Sequence, residues 1–297
     1  MPRHIIYIIN PISGTRTKKG IQGLIEEKTK QAGITFQIFP SLASGDYSFL
    51  QPIIKEQKVT DIVIAGGDGT VSQVVGSLMK SNVNFGILPF GSGNGLAFAA
   101  KIPRQTEKAL DIIFKGNAVE TDGFYVNKIF ACMLCGVGFD AKVAHEFARQ
   151  STRGLTTYAR LVSKNFFSAT PYTFNVEGNG INFSAEAYFI SIANSNQFGN
   201  NFTIAPKALL SDGLLDIVIA KKTIKSLLLF NLLKQIVAGK LQDIESSLNQ
   251  PVIYFQTEKI RIENKNNAPI HIDGDPAEDS SEINIEVKKR CFRLIQP

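Results

Sequence analysis

Asp68 stands among Gly66, Gly67 and Gly69 in the run DIVIAGGDGTV, Asp61 to Val71. A carboxylate in a glycine-rich turn suits a phosphate when a divalent cation lies between them. Asp61 to Ala65 is short, apolar and β-branched, as a strand covered on both faces would be. Beyond Thr70, the residues Val71, Val74, Val75 and Leu78 recur at helical spacing. The turn thus joins a strand end to a helix start, where free N–H groups and a positive dipole end meet a phosphate. Glycine at these positions permits φ > 0 and close approach of a ligand, or serves loop packing alone. There is no Walker lysine, and the spacing is not G-x-G-x-x-G. The chemistry indicated is a nucleoside triphosphate carried with Mg²⁺.

Two further polar turns end strand-like runs. Ile5 to Ile9 runs into Asn10-Pro11-Ile12-Ser13-Gly14, followed by Arg16, Lys18 and Lys19; Phe85 to Leu88 runs into Pro89-Phe90-Gly91-Ser92-Gly93-Asn94-Gly95. In open parallel sheets, ligands bind outside the carboxyl ends of strands, so these turns predict one crevice. Arg16 and Lys18 either reach phosphates or are solvated. Asp273-Gly274-Asp275 reads, by its residues alone, as a solvated turn. His271 reads as a satisfied strand histidine, and Cys132 and Cys135, in an apolar run, read as core.

The elements that must hold these turns alternate in the first part: a helix over Gly20 to Ala32, a strand over Thr35 to Phe39, a helix over Tyr47 to Gln57, then helices over Leu96 to Ala100 and Thr106 to Phe114. That is the βαβ rhythm of an α/β domain. The rhythm changes at Gly116 to Asp122, which predicts domains of residues 1–121 and 122–297, the last strand returning to the first domain. The second domain reads as β-rich, with strands over Phe130 to Leu134, Tyr172 to Val176, Glu186 to Ile192, Leu215 to Ile219, Ile253 to Phe255, Lys259 to Ile262, Ile270 to Ile272 and Ile283 to Val287. Gly178-Asn179-Gly180 signals a hairpin. Helices are expected over Ala141 to Ala148, Tyr158 to Phe167 and Ile224 to Val237.

Composition narrows the partners. The chain has 297 residues, 32 basic against 26 acidic, and a net charge of +6. This favours anionic partners, yet no basic block resembles a nucleic-acid arm, so no nucleic acid is expected. Three cysteines suit a reducing compartment. No signal peptide is read, and the apolar stretch Leu227 to Leu233 is too short to span a bilayer.

Taken together, the turns resemble the catalytic domain shared by diacylglycerol kinases, sphingosine kinases and bacterial lipid kinases. Gly66-Gly67-Asp68-Gly69-Thr70 matches the group's GGDGT, and Asn10 to Gly14 its NPxSG turn. Gly91-Ser92-Gly93-Asn94-Gly95-Leu96-Ala97 is similar to its third motif, with Gly95 where an Asp is common. Gly136-Val137-Gly138-Phe139-Asp140-Ala141 matches GxGxDA. Pro206 to Asp216 resembles a segment that holds Mg²⁺, and Ile270 to Asp275 is similar to a strand followed by DGE, with Asp275 in place of Glu.

The resemblance implies an α/β protein of two domains: an N-terminal nucleotide-binding domain like those of NAD kinase and diacylglycerol kinase, and a C-terminal β-rich sandwich. It implies that Asn10, Ser13, Ser41, Gly66 to Thr70, Gly91, Ser92 and Asn94 hold ATP, and that Asp68 orients Mg²⁺ or its water. Asp275 would take a proton from a lipid hydroxyl, with Asp273 placing it. Asp212, with the carbonyls of Leu209 and Leu214, would hold Mg²⁺. The expected partners are a hydroxyl-bearing membrane lipid and a membrane surface docked transiently from the cytoplasm; the chain is either a monomer or, through a strand edge of the second domain, a homodimer. An NAD kinase and a non-catalytic nucleotide or lipid sensor are the competing readings.

Overall fold

The computed structural model describes residues 2–13, 20–150, 155–178, 180–197, 205–228, 230–231 and 249–297. The first part alternates: β1 (His4–Ile9), α1 (Ile21–Gln31), β2 (Thr35–Pro40), α2 (Leu50–Glu56), β3 (Asp61–Gly66), α3 (Asp68–Leu78), β4 (Asn84–Pro89), α4 (Gly95–Ala99) and α5 (Thr106–Lys115). Then follow β5 (Ala118–Val126), β6 (Ile129–Ala131), β7 (Leu134–Gly138), α6 (Phe139–Ala148), α7 (Leu155–Phe166), β8 (Tyr172–Gly178), β9 (Ile181–Ala193) and β10 (Leu215–Lys221). The remaining strands are β11 (Val252–Thr257), β12 (Lys259–Asn264), β13 (Ile270–Ile272), β14 (Asp275–Ala277) and β15 (Glu282–Ile295).

The first four strands run parallel in the order β4-β3-β1-β2. β3 is buried at all six positions, which is why its sequence is continuously apolar after Asp61. β1 lies between β2 and β3, so the chain reverses its direction of travel across the sheet at the β1/β3 boundary. The crevice that opens above such a boundary is where nucleotides settle.

The second part is antiparallel, a β sandwich whose interior is lined by residues such as Phe124, Phe174, Ile190, Ile217, Phe255 and Ile285. α6 and α7 pack outside it through Phe139, Val143 and Leu161. β15 belongs to both parts. It pairs with β12 at one end, with β5 along its length, and with β4 at the other, where Arg293 lies opposite Asn84 and Leu294 opposite Phe85. A register shift between Lys288 and Phe292, with Arg290 at φ 47°, bends it from one sheet into the next.

Three expectations are corrected. The final strand runs on past Val287 to Ile295, because Phe292, Leu294 and Ile295 enter the core of the first sheet although charged residues separate them. The strand expected over Phe130 to Leu134 is broken at Cys132 and Met133, whose N–H groups turn to the Asp273 carboxylate instead of a ladder. α2 begins at Leu50 rather than Tyr47, since the N–H groups of Leu50 and Gln51 bond the carbonyls of Tyr47 and Ser48, three residues back, and make tight turns there. The β8/β9 hairpin forms with Gly178 opposite Ile181, but Asn179 lies outside the described residues. So does most of the helix expected over Ile224 to Val237; residues 225–228 and 230–231 are helical. Among the described residues no helix is long and apolar enough to cross a membrane.

Candidate active site

The crevice above β1 and β3 is closed by side chains from both strand ends. The Asn10 N–H donates to the Ala65 carbonyl at 2.9 Å, and its Nδ2 donates to Thr70 Oγ1 at 2.8 Å. Its Oδ1 accepts the Ile12 N–H, and Ser13 Oγ donates to the Asn10 carbonyl at 3.3 Å. Ser41 reaches the same rim from β2, its N–H donating to the Ile9 carbonyl. Gly14, Arg16, Lys18 and Lys19 lie outside the described residues. The turn after β4 is stitched to the turn after β3: the N–H groups of Phe90 and Gly91 both donate to the Gly66 carbonyl, at 3.0 and 3.1 Å. Here the glycines differ from expectation. None of Gly66, Gly67 and Gly69 has positive φ. Space is what they supply: a Cβ on Gly91 would overlap Gly67 Cα, so the two turns touch backbone to backbone.

Asp68 opens α3, but its carboxylate serves a different helix. Its Oδ2 accepts the N–H of Gly95 at 3.0 Å and its Oδ1 that of Leu96 at 3.1 Å, at the first turn of α4. Burial pushes the carboxyl up to about 6, with the Asp273 charge adding to the rise and the two N–H donors opposing it. Asn94, buried at φ 56°, locks the same turn: its Oδ1 accepts the Gly91 N–H and its Nδ2 donates to the Gly91 carbonyl, both at 2.7 Å. Ser92 sits half-buried between them. At Gly95, a Cβ would run into Met133 Sδ and the Gln197 carbonyl oxygen. The place of the common Asp side chain is therefore occupied by the second domain.

β13 and β14 form a two-residue hairpin with Ile272 opposite Asp275. Its central residues, Asp273 at φ 49° and Gly274 at φ 85°, are both left-handed, as the tightest turns require and Asp-Gly allows. The Asp273 carboxylate is fully engaged. Oδ2 accepts Ser72 Oγ from α3 and the Cys132 N–H; Oδ1 accepts the N–H groups of Met133 and Leu134 at 3.0 and 2.8 Å. Burial still raises its carboxyl above the ordinary range. Asp275, by contrast, is exposed and lies across the interdomain gap over Gly69, where a Cβ would overlap its Oδ2.

The segment with Leu209, Asp212 and Leu214 is exposed at Leu209 and Asp212 and anchored from below by buried Asp122. Asp122 accepts the N–H groups of Gly213 at 2.7 Å and Arg290 at 2.6 Å, and its own N–H donates to the Leu210 carbonyl. Asp212 Oδ1 accepts the Leu214 N–H. Partial burial raises the Asp212 carboxyl, and Asp122 adds to the rise. Asp212 and the backbone carbonyls of this segment are oxygen donors, the kind a hard cation takes, while both oxygens of Asp122 are already committed to N–H donors. Among the described residues no three His, Cys, Asp or Glu side chains converge on a metal-sized point. Cys132 and Cys135 are buried free thiols raised well above their ordinary value by burial.

Two residues in this site have no motif-level signal. Ser72 lies one turn along α3 from Asp68 and grips Asp273; Asp122 lies in the stretch read as a boundary and ties the 209–214 segment to β5 and β15. Their signal is their partners, which lie far away in sequence.

Residues 4–126 match the family described as diacylglycerol kinase catalytic domain, and residues 134–296 match the YegS C-terminal NAD kinase beta sandwich-like domain. The protein named "Probable lipid kinase YegS" of Escherichia fergusonii is 28% identical over 196 residues, 63% of this chain and 65% of that one. Its namesake in Shigella flexneri is 27% identical over the same shares. The chain thus spans slightly under two thirds of these relatives' length. A crystal structure of a diacylglycerol kinase from Bacillus anthracis str. Sterne covers 99% of this chain and 97% of its own, with TM-score 0.74 at 19% identity. A second structure from that organism reaches 0.81 at 20% identity with the same coverage. Likeness at that level speaks to the fold; the two family matches, which together run through nearly the whole chain, place it in the diacylglycerol kinase catalytic-domain family of the YegS type.

Proposed function

We propose that the chain transfers the γ-phosphate of ATP to a hydroxyl group of a membrane lipid, with Mg²⁺. The observation that carries this reading is the position of Asp275: a carboxylate from the second domain held over Gly69, at the mouth of the glycine corner of the first. Gly66 to Thr70, Gly91, Ser92 and Asn94, with Asn10, Ser13 and Ser41, bind the nucleotide, the phosphates lying against the free N–H groups at the start of α3. Asp68 holds the α4 turn in place beside them and would orient Mg²⁺ or its water there. Mg²⁺ carried with ATP would neutralise phosphate charge, and Asp212 with the Leu209 and Leu214 carbonyls would hold a second cation.

The lipid hydroxyl enters between the domains. Its oxygen attacks the γ-phosphorus, its proton passes to the Asp275 carboxylate, and the bond from phosphorus to the β-phosphate oxygen breaks to release ADP. Asp273 is a positioning residue, since its oxygens are committed to Ser72 and residues 132–134. Exposed Phe167, Ile224, Leu227 and Phe230 supply an apolar face, with Lys225 alongside donating to the Phe167 and Ala169 carbonyls. Such a face suits transient docking on an anionic lipid surface.

The test is transfer of labelled γ-phosphate from ATP and Mg²⁺ to hydroxyl lipids in mixed micelles, beside NAD and a no-acceptor control. Label in one lipid class, lost in Asp275→Ala, is the expected result. Label in NAD, or nucleotide binding without transfer to any acceptor, would overturn it.

A further inference from the structure

α6 grips β13 at two neighbouring residues. His145 Nε2 donates to the Ile270 carbonyl at 2.7 Å, and one residue on, His271 Nε2 faces Asp140 Oδ2 at 3.5 Å. Asp140 and His271 are both buried. Gly136 lies opposite His271 in the β7/β13 ladder, and a Cβ there would overlap both Asp140 Oδ2 and His271 Nε2. The first glycine and the aspartate of the Gly136 to Ala141 motif thus act together: one leaves the space that the other's pairing with His271 fills.

The far side of the imidazole faces the hairpin. Its Nδ1 lies 3.3 Å from the Gly274 amide nitrogen and accepts that N–H. The other N–H of the turn, that of Asp273, donates to the Leu134 carbonyl, so His271 supplies the acceptor for the remaining one. A ring that accepts at Nδ1 carries its proton at Nε2 when neutral. Asp140 Oδ1 is taken by the Ala141 N–H, and Oδ2 has no hydrogen-bond partner among the described residues. A buried carboxylate oxygen in that state favours the nearest N–H, which is the imidazole's.

We propose that Asp140 and His271 are positioning residues for phosphoryl transfer: Asp140 fixes the tautomer of His271, His271 holds Gly274, and the turn so held aims Asp275 at Gly69. The aim of Asp275 rests on the function proposed above; the state of the imidazole does not. His271→Asn places an amide oxygen where Nδ1 was and keeps the bond to Gly274. His271→Gln keeps a donor towards Asp140 and loses that bond.

Two measurements test this on the full chain. Long-range proton–nitrogen NMR of the histidine rings is expected to show His271 protonated at Nε2 alone; a proton at Nδ1 overturns the proposal whatever the chain phosphorylates. In lipid phosphorylation assays, His271→Gln is expected to lower kcat by about 10- to 100-fold with KM for ATP within about twofold, as a misaimed group does. His271→Asn is expected to recover kcat to within about threefold of wild type. Equal kcat in the two variants, or a loss that follows thermal stability alone, overturns the positioning role while leaving the kinase reading intact. A wild type that moves no phosphate overturns both.

Discussion

Asp273 and Asp275 are two residues apart and use a carboxylate in opposite ways. The first is buried under four donors; the second is exposed over the glycine corner. Asp273→Ala strips the acceptor from the N–H groups of Cys132, Met133 and Leu134, and should cost about 2–4 kcal/mol of stability together with activity. Asp275→Ala should lower lipid phosphorylation by about 10²- to 10⁴-fold with an unchanged urea midpoint. The pair of denaturation curves and rates checks both. Asp68 adds a pH dependence. Its carboxyl, pushed up to about 6, takes a proton more readily in the folded chain than in the unfolded one, whose value is near 3.8. Its burial therefore costs stability fully above pH 6, and the cost is relieved as pH falls towards 4. Asp68→Asn has no such titration, so its urea midpoint relative to wild type should rise from pH 4 to pH 6 and stay level above. The residue types in these turns were legible, because a carboxylate among glycines between strand and helix is a local pattern. The division of labour between Asp273 and Asp275 was implied only by the family resemblance and not by the residues themselves: the groups that bind Asp273 come from residues 72 and 132–134, and no local pattern connects them.

At the scale of elements, the two glycine turns form one object. Asp68 on α3 holds the start of α4, Asn94 locks the turn before it, and Met133 from the second domain fills the space beside Gly95. Gly95→Ala must displace Met133 Sδ and press on the Gln197 carbonyl, and should cost about 1–3 kcal/mol. In a Met133→Ala background the same substitution should cost less than it does in wild type, read as a smaller fall in thermal midpoint from Met133→Ala to the double variant. The parallel strands and their helices were legible from apolar runs and helical spacing, which local burial imposes. The break between β6 and β7 was not, because Cys132 and Met133 have strand-like side chains and only the distant Asp273 carboxylate draws their N–H groups away. The return of the last strand to the first domain was expected, but its length past Val287 was hidden for the opposite reason: its charged residues face out and its apolar ones enter a core that belongs to the first half of the chain.

At the scale of the whole molecule, β15 makes two sheets depend on each other. Leu294 is buried opposite Phe85 and beside β5, so Leu294→Ala should cost about 2–5 kcal/mol. The loss should appear as one transition in urea, followed equally by probes in the nucleotide corner and in the sandwich, rather than as separate melting of the first sheet. The same strand sets the order of events on the ribosome. β3 and its glycine turn emerge early in translation, but the sheet that carries them keeps an open flank at β4 until residues 292–295 have been made. A nascent or prematurely terminated chain has the nucleotide motif without the wall that steadies it, and its exposed edge is a surface for chaperones and proteases. A chain cut short before residue 292 is expected to leave β4 as an open edge and the glycine turns without that support.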